Sequence, residues 1–149
     1  MRRARIRTAA GVREGRYDDG TVEVDGETYT IGVDAELLAP CAPTTMYCVG
    51  RNYAKTIEQM DYERPDRPDW FIKPPVSVRP PNTPVAYPSW TDELTYAGEL
   101  AAVVDVECSD LGVSDVDEIV RGYTILNDFD ALDQDGRTAR KAFDGSGPL

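Results

Sequence analysis

The 149-residue sequence contains no histidine, and this absence removes several kinds of active site. Without an imidazole there is no histidine general base, no Ser-His-Asp triad and no histidine metal ligand. Lysine is also scarce, because only Lys55, Lys73 and Lys141 occur among 16 basic residues. Any site that needs an ammonium group must therefore use one of these three.

The sequence also has few cysteines and no long apolar run. Cys41, Cys48 and Cys108 lack the spacing of a metal site, and an odd number of thiols in a cytosolic chain predicts buried free cysteines. No apolar segment reaches the ~20 residues of a membrane span. The basic segment 1–11 lacks the apolar core of ~7–15 residues that a signal peptide needs, so we expect a cytoplasmic protein without a membrane partner.

Positive charge is in short supply overall. Asp and Glu total 27 against 16 Lys and Arg, which gives a net charge of −11. This balance excludes a general nucleic-acid binder, which needs a basic patch to displace counterions from phosphates. Asp outnumbers Glu and Arg outnumbers Lys, as in proteins from salt-loving organisms, where salt screens the self-repulsion. An ordinary acidic protein is the alternative interpretation.

The N-terminal part predicts a small β meander followed by a linker, over residues 1–45. The turn signals are Asp19-Gly20 and Asp25-Gly26, and the strands beside them are Thr21–Asp25 and Glu27–Val33. The linker is Leu37–Thr45, which contains two prolines. This part contains no residues of evident chemical function. We therefore interpret it as a structural lobe.

Residues 46–149 predict an irregular, β-rich body, because prolines are dense between short apolar segments. Strands are predicted at Met46–Gly50, Trp70–Ile72, Glu99–Val106 and Gly122–Asn127, and short helices at Asn52–Met60 and Val116–Arg121. The stretch Asp128–Leu149 is polar and lacks an obvious closing element. Trp70 and Trp90 are interpreted as core or interface aromatics. The predicted fold class is β-rich mixed α+β.

Two carboxylates in this body occupy positions where a metal site could form. Glu99 begins one apolar strand and Asp128 ends another. Burying a carboxylate is costly unless it is paired or metal-bound, and oxygen ligands suit hard cations such as Mg²⁺. Lys141 facing a metal-bound enolate would stabilise its negative charge. In a chain with 27 acidic residues, solvated surface carboxylates are the alternative.

Five short motifs follow one another through this body. They are Cys48–Ala54 (CVGRNYA), Phe71–Pro74 (FIKP), Tyr96–Val104 (YAGELAAVV), Gly122–Asp128 (GYTILND) and Arg140–Asp144 (RKAFD) followed by Pro148-Leu149. In this order they resemble the signature of the fumarylacetoacetate hydrolase family. The resemblance implies a β-roll fold, and since the family's domain continues past the last motif, we expect an incomplete β-roll here.

The resemblance also implies a chemistry. Family members hold Mg²⁺ or Mn²⁺, commonly form homodimers, and hydrolyse, isomerise or decarboxylate small 2-oxo (enol) carboxylic acids, including products of aromatic catabolism. Matched position by position, Glu99 and Asp128 would be metal ligands and Lys141 the catalytic lysine that neutralises the enolate. The expected partners are therefore a small oxo-acid substrate, a divalent metal and a second copy of the chain.

The sequence departs from the family pattern at four positions. Ala97 replaces the first acid of the metal-binding E-x-E pair, Thr56 and Gln59 replace the His-Glu pair of hydrolytic members, and Leu132 replaces the arginine of S-A-R-D. Isomerisation or decarboxylation, which need only metal and lysine, are easier to retain than hydrolysis. A catalytically degenerate or truncated relative that serves as a binding or assembly module is the alternative.

Some residues keep more than one interpretation. Glu93, Asp130 and Asp133 could replace the missing ligand if the fold brings one of them within ligand distance. Arg51, Asn52 and Tyr53 are interpreted as turn and packing residues rather than substrate contacts. Lys73 could be a solvated lysine or a cation in a pocket.

Overall fold

Eleven strands and three short helices form the structure, a computed structural model that describes residues 1–149. The strands are β1 (Arg3–Thr8), β2 (Gly11–Asp18), β3 (Thr21–Val24), β4 (Glu27–Thr30), β5 (Glu36–Leu37), β6 (Met46–Gly50), β7 (Asp69–Lys73), β8 (Val78–Arg79), β9 (Leu94–Val104), β10 (Val120–Ala131) and β11 (Gly147–Pro148). The helices are α1 (Ala54–Gln59), α2 (Val116–Ile119) and α3 (Arg137–Lys141). The predicted β-rich mixed class is confirmed. None of the three helices is long and apolar enough to cross a membrane.

The N-terminal strands form one five-stranded sheet in the order β4-β3-β2-β1-β5. Both predicted Asp-Gly turns have positive φ at their two central residues, which suits the tight hairpins that join antiparallel strands. The alternating pattern points one set of apolar side chains inward, and these form the buried cluster Ala4, Ile6, Val22, Val24 and Ala35. The meander is therefore confirmed, although the strand predicted over Glu27–Val33 ends at Thr30.

Strands β9 and β10 form a long antiparallel ribbon that carries the candidate carboxylates. The predicted boundaries Glu99–Val106 and Gly122–Asn127 are wrong at several ends, because β9 starts at Leu94 and stops at Val104, while β10 extends through Ala131. The extra residues are held by pairing between the strands, so tertiary contact overrides the weak local preference of the polar positions.

The segment after Asp128 is also more ordered than its composition predicts. The expectation of no closing element in Asp128–Leu149 is wrong: β10 continues, α3 follows, and β11 pairs in parallel with β8. The register places Gly147 opposite Val78 and Pro148 opposite Arg79. Long-range pairing of this kind leaves almost no signal in a polar segment. The segment folds back so that α3 packs against both β10 and β7.

The remaining elements of the body agree more closely with prediction. Strands β6 and β7 form an antiparallel pair. Strand β7 extends one residue beyond the predicted Trp70–Ile72 at each end. Helix α1 is shorter than predicted, and α2 ends at Ile119 rather than Arg121 because the backbone becomes extended at Val120.

The tryptophans and cysteines correct two further expectations. Trp70 and Trp90 are 57% and 47% exposed, so the interpretation as core aromatics is wrong, while the interface interpretation stays a prediction. All three cysteines are free as expected, but none is fully buried and Cys108 is exposed. Apolar burial in residues 46–149 is sparse, since only Leu126 and Ala131 among its apolar side chains are buried. Polar groups fill the space where β7, β10 and α3 meet.

Candidate active site

A fully buried lysine, Lys73, lies at the centre of the body. Its ammonium donates hydrogen bonds to the carbonyl oxygens of Phe129 (3.1 Å), Lys141 (2.6 Å) and Ser146 (2.8 Å). Burial lowers the pKa of Lys73, and the nearby carboxylate of Asp128 opposes this effect. Of the two interpretations left open by the sequence, the solvated lysine is wrong, because the side chain has no exposed surface. The lysine fixes the end of β7 against β10, α3 and the turn before β11.

Asp128 lies beside this ammonium and is itself buried. Its Oδ1 atom is 2.9 Å from Lys73 Nζ, and its Oδ2 atom accepts a hydrogen bond of 2.6 Å from Lys141 Nζ. The contact at Oδ1 is a salt bridge, and no well-directed hydrogen bond reaches this oxygen. Two of the three lysines of the chain thus face one carboxylate.

Asp130 forms a second layer behind Lys141. Arg140 donates two parallel hydrogen bonds of 2.7 Å to its two oxygens, and Lys141 Nζ lies 3.1 Å from Oδ2. Burial alone would raise the pKa of Asp130, but the bonds from Arg140 and the charge of Lys141 outweigh it and lower the pKa. Asp128 and Asp130 are two residues apart on β10, so their side chains lie on the same face of the strand. The contacts of Arg140 and Lys141 with Asp130 hold α3 against that face.

Glu99 lies on the same face of the ribbon as Asp128. The register pairs Glu99 with Leu126 and Asp128 with Ala97, so the two carboxylates are diagonal neighbours. Burial raises the pKa of Glu99, and a hydrogen bond with Tyr53 partly offsets the rise. The Tyr53 hydroxyl also accepts a hydrogen bond from the backbone N–H of Leu100. Tyr53 therefore packs on β9, beside one of the candidate ligands.

The donor atoms present are of the type that Mg²⁺ and Mn²⁺ take. Asp128 offers a buried oxygen with no hydrogen bond, Glu99 offers a second carboxylate on the same face, and Mg²⁺ usually keeps several waters. A third carboxylate is missing where Ala97 stands directly opposite Asp128, and no group of three Cys, Asp or Glu side chains is arranged as a metal site. The residues fit a metal held by two carboxylates and solvent.

The three alternative ligands are placed differently. Asp130 shares the face of Asp128, but Arg140 and Lys141 occupy both of its oxygens. Asp133 accepts hydrogen bonds from the Thr91 hydroxyl and the Asp92 backbone, and Glu93 precedes β9 at an exposed position. None of the three replaces the missing ligand in this structure.

The positions that replace the family's water-activating pair and arginine lie at the periphery. Thr56 and Gln59 are exposed on α1, and Leu132 is 47% exposed just after β10. Arg51 has a positive φ of 52° and stacks its guanidinium 5.0 Å from the Tyr62 ring centre. The positive φ and the ring contact agree with the interpretation of Arg51 as a turn residue. The Nε atom of Arg51 also lies near the carboxylate of Asp69.

Sequence reasoning missed several residues of the site. Local sequence patterns do not assign Lys73, and they do not indicate the roles of Arg140, Ser77 and Ser146. Ser146 Oγ donates to the Lys141 carbonyl (2.7 Å), and Ser77 Oγ donates to the Phe143 carbonyl (3.1 Å). The one sequence signal for the buried position of Lys73 is that it directly follows the apolar segment of a strand. A charged group at such a position is either solvated or fully paired.

Comparison with known proteins shows the family of the chain. The family model described as "Fumarylacetoacetate (FAA) hydrolase C-terminal" matches residues 45–149. The chain belongs to the fumarylacetoacetate hydrolase family. The suspected family is thus confirmed, and the FAA hydrolase match begins at the boundary where the N-terminal lobe was predicted to end.

Individual relatives extend the comparison. Protein Rv2993c of Mycobacterium tuberculosis is 36% identical over 81% of this chain and 46% of its own length. The oxaloacetate tautomerase YcgM of Escherichia coli is 32% identical over 68% of this chain and 50% of its own length. The crystal structure of 5-carboxymethyl-2-hydroxymuconate delta-isomerase from Mycobacterium smegmatis superposes with a TM-score of 0.84 at 34% identity, over 100% of this chain and 64% of that one. The chain spans about half the length of the curated relatives that it matches.

Proposed function

We propose that the protein is a metal-dependent isomerase of small 2-oxo carboxylic acids, which interconverts their enol and keto forms. The observation that carries this proposal is the buried carboxylate of Asp128 between the ammonium groups of Lys73 and Lys141. The similarity to an oxaloacetate tautomerase and to a hydroxymuconate isomerase supports the same reaction class. Hydrolysis is less well supported, because the residues at the water-activating positions, Thr56 and Gln59, cannot act as a general base.

In this proposal Glu99 and Asp128 hold Mg²⁺ or Mn²⁺. Such a cation, when bound, would supply Lewis-acid chemistry that polarises the 2-oxo acid. Lys141 then donates a hydrogen bond to the oxygen that gains negative charge as the enolate forms. Lys73 has no free hydrogen for the substrate, so its task is to keep Asp128 and the α3 carbonyl end in place. The burial of Lys73 and Asp128 strengthens their mutual attraction, because little water screens it.

The reaction is balanced without a further reactant. Ketonisation releases the proton of the enol hydroxyl to solvent water and adds a proton from solvent water to the neighbouring carbon, with no change of oxidation state. Lys141 stabilises the enolate that lies between these two steps. The chain needs no histidine for this role, in agreement with its composition.

Two measurements test the proposal. The first follows the ultraviolet absorbance of enolic oxaloacetate with Mg²⁺ or Mn²⁺ present, and we expect Lys141→Met to lower the enzymatic rate by about 10²–10³-fold. Lys55→Met, which removes an exposed lysine of α1, is the matched control and should keep the full rate. The second measures the thermal shift with Mg²⁺ or Mn²⁺, which Glu99→Ala should abolish.

The alternative is a non-catalytic relative that keeps the scaffold as a binding or assembly module. Ala97 in place of a carboxylate favours it, since the metal site then has two protein ligands instead of three. This alternative predicts neither a metal-dependent thermal shift nor turnover of any oxo-acid. A thermal shift that disappears in Glu99→Ala, together with loss of turnover in Lys141→Met, would exclude it.

A further inference from the structure

The ammonium group of Lys141 is held from three directions. Its Nζ atom lies 2.6 Å from Oδ2 of Asp128, 3.1 Å from Oδ2 of Asp130 and 4.9 Å from the centre of the Phe71 ring. A lysine side chain is long and flexible, so its ammonium group keeps one position only where several partners hold it. The two carboxylates are therefore both needed to explain why Lys141 has a single orientation.

Asp130 is the partner of Lys141 that has a rigid support of its own. Arg140 Nε and Nη2 donate parallel hydrogen bonds of 2.7 Å to the two oxygens of Asp130. This contact fixes the plane of the carboxylate, because the planar guanidinium group matches its geometry. Asp128 contacts only the ammonium groups of Lys73 and Lys141, which are point charges without a preferred plane. The direction of Asp130 Oδ2 towards Lys141 is thus set by Arg140.

The backbone at the end of α3 has anchors that do not involve Asp130. The carbonyl oxygen of Lys141 accepts hydrogen bonds from Lys73 Nζ (2.6 Å) and from Ser146 Oγ (2.7 Å). These bonds fix the main chain from which the Lys141 side chain extends. Removal of the Asp130 charge is therefore expected to act on the orientation of the ammonium group more than on the position of the helix.

The pair of Asp130 and Arg140 adds no net charge beside Lys141. A second carboxylate alone would attract the ammonium group strongly and weaken its pull on an oxygen that gains negative charge. Arg140 cancels the charge of Asp130, and Lys141 lies farther from Asp130 than from Asp128. With Lys73 included, three cations face two carboxylates, so the cluster keeps an excess of one positive charge.

We propose that Asp130 and Arg140 are positioning residues for Lys141: Arg140 orients the carboxylate of Asp130, and Asp130 keeps the ammonium group in the orientation that stabilises the enolate. This role rests on the proposed function, in which Lys141 is the residue that faces the enolate. Neither positioning residue touches the substrate. Because Asp130 acts only through Lys141, its effect on the rate must vanish when Lys141 is absent, whereas a general structural effect would persist.

The first test measures the ketonisation of enolic oxaloacetate at saturating Mn²⁺, with the spontaneous rate subtracted. We expect Asp130→Asn to lower kcat about tenfold or more and to change KM by less than about twofold, because the lost interaction acts in the transition state. In a Lys141→Met background the same substitution should lower kcat no further. Asp133→Asn is the matched control with the full rate, since it removes the same charge where the carboxylate binds Thr91 instead of Lys141.

The second test observes the ammonium group directly and needs neither metal nor substrate. The chain has only three lysines, so protein with ¹⁵N-labelled lysine side chains gives at most three ammonium signals, which Lys55→Met and Lys141→Met assign. We expect the ammonium hydrogens of Lys141 to exchange with water about tenfold or more faster in Asp130→Asn than in the unchanged protein, because a charge-assisted hydrogen bond is lost. The buried Lys73 should exchange at the same rate in both.

Each outcome decides a different point. An unchanged kcat in Asp130→Asn, or an equal fall with and without Lys141, overturns the positioning role while turnover by the unchanged protein retains the proposed function. Loss of the Mn²⁺ thermal shift in Asp130→Asn would make Asp130 a metal ligand and also overturn the role. Absence of turnover in the unchanged protein overturns the proposed function, and the exchange rate alone then decides whether Asp130 holds Lys141.

A conservative variant separates the planar contact of Arg140 from its charge. Arg140→Lys keeps the positive charge but cannot form two parallel hydrogen bonds with Asp130, so kcat should fall by about threefold or more while KM stays unchanged. Circular dichroism reports whether each variant is folded. A full rate in folded Arg140→Lys would show that the guanidinium group does not orient Asp130.

Discussion

Lys73 and Asp128 lie 2.9 Å apart in the interior of the body, and the lysine has no exposed surface. Burying either charge alone would cost a large desolvation energy. The attraction between the two charges offsets this cost, so the fold depends on keeping both partners. The lysine also ties three backbone segments together through its hydrogen bonds to carbonyl groups.

Lys73→Met is therefore expected to destabilise the protein strongly. It leaves Asp128 buried beside only one ammonium group and leaves three carbonyl groups without their donor, which should lower the free energy of unfolding by about 3–5 kcal/mol. Urea unfolding followed by circular dichroism measures the loss. Lys55→Met on α1 should change stability little, and equal stability of the two variants would contradict the structural role of Lys73.

The Asp130–Arg140 pair should show measurable coupling. Its two hydrogen bonds of 2.7 Å are charge-assisted, so we expect a double-mutant cycle of Asp130→Asn and Arg140→Met to give about 1–3 kcal/mol of interaction energy. Unfolding free energies of the four proteins provide the cycle. The exposed pair of Arg7 and Glu36 is a suitable comparison and should give a smaller value, since solvent screens it. Additive effects at Asp130 and Arg140 would show that α3 is held by other contacts.

Cys48 should behave as an unreactive thiol at neutral pH. Burial, together with the charge of Asp128, raises its pKa to about 11. Only the thiolate reacts, and at pH 8 roughly one molecule in a thousand carries it. The rate of alkylation by iodoacetamide, measured by peptide mass spectrometry, should rise with pH until about pH 11, where half of the thiol is ionised. Fast labelling at pH 8 would mean that the thiol is more solvated than its position on β6 indicates; exposed Cys108 reports reagent access in the same sample.

Ala97→Glu is predicted to strengthen metal binding. Ala97 pairs with Asp128 and shares its face with Glu99, so a carboxylate there would supply the third ligand. We expect the dissociation constant for Mn²⁺ to fall by about tenfold or more, as measured by calorimetry. Ala102→Glu adds the same charge on the opposite face of β9 and should have little effect. If both variants bind Mn²⁺ alike, the gain reflects overall charge rather than a ligand.

Salt should stabilise the fold. A net charge of −11 and the excess of Asp over Glu predict self-repulsion that potassium ions screen, so the melting temperature should rise between about 0.1 M and molar KCl. Sucrose at matched osmolality controls for the general effect of an excluded solute. A melting temperature indifferent to KCl would remove the halophilic interpretation and leave an ordinary acidic protein.

The sequence was informative wherever local chemistry decides structure. The Asp-Gly turns predicted the N-terminal hairpins, and the motif that contains Asp128 predicted both the family and a carboxylate at the site. Glu99 and Asp128 do share one face of a ribbon, as a common metal site requires. Lys141 contacts Asp128, although it stands on a helix that the sequence did not predict.

What could not be predicted depends on contacts between distant segments. Arg140 gives no local sign that it binds Asp130, because a charged residue in a polar stretch is most simply solvated. The strands β8 and β11 have two residues each and exist only through pairing with one another. The sequence is compatible with Lys73 as a solvated lysine or as a cation in a pocket, and only the surrounding carbonyl groups explain why it is buried instead.

The hydrogen bonds of Lys73 also constrain the order in which the molecule assembles. Its three acceptors follow it in the chain by 56, 68 and 73 residues, so each contact closes a long loop whose entropy must be lost before the bond forms. The N-terminal sheet needs only short hairpins and can form early during synthesis. The lysine, in contrast, has its full set of acceptors only after Ser146 has left the ribosome. The candidate site therefore cannot complete its structure before residue 146 has been synthesised.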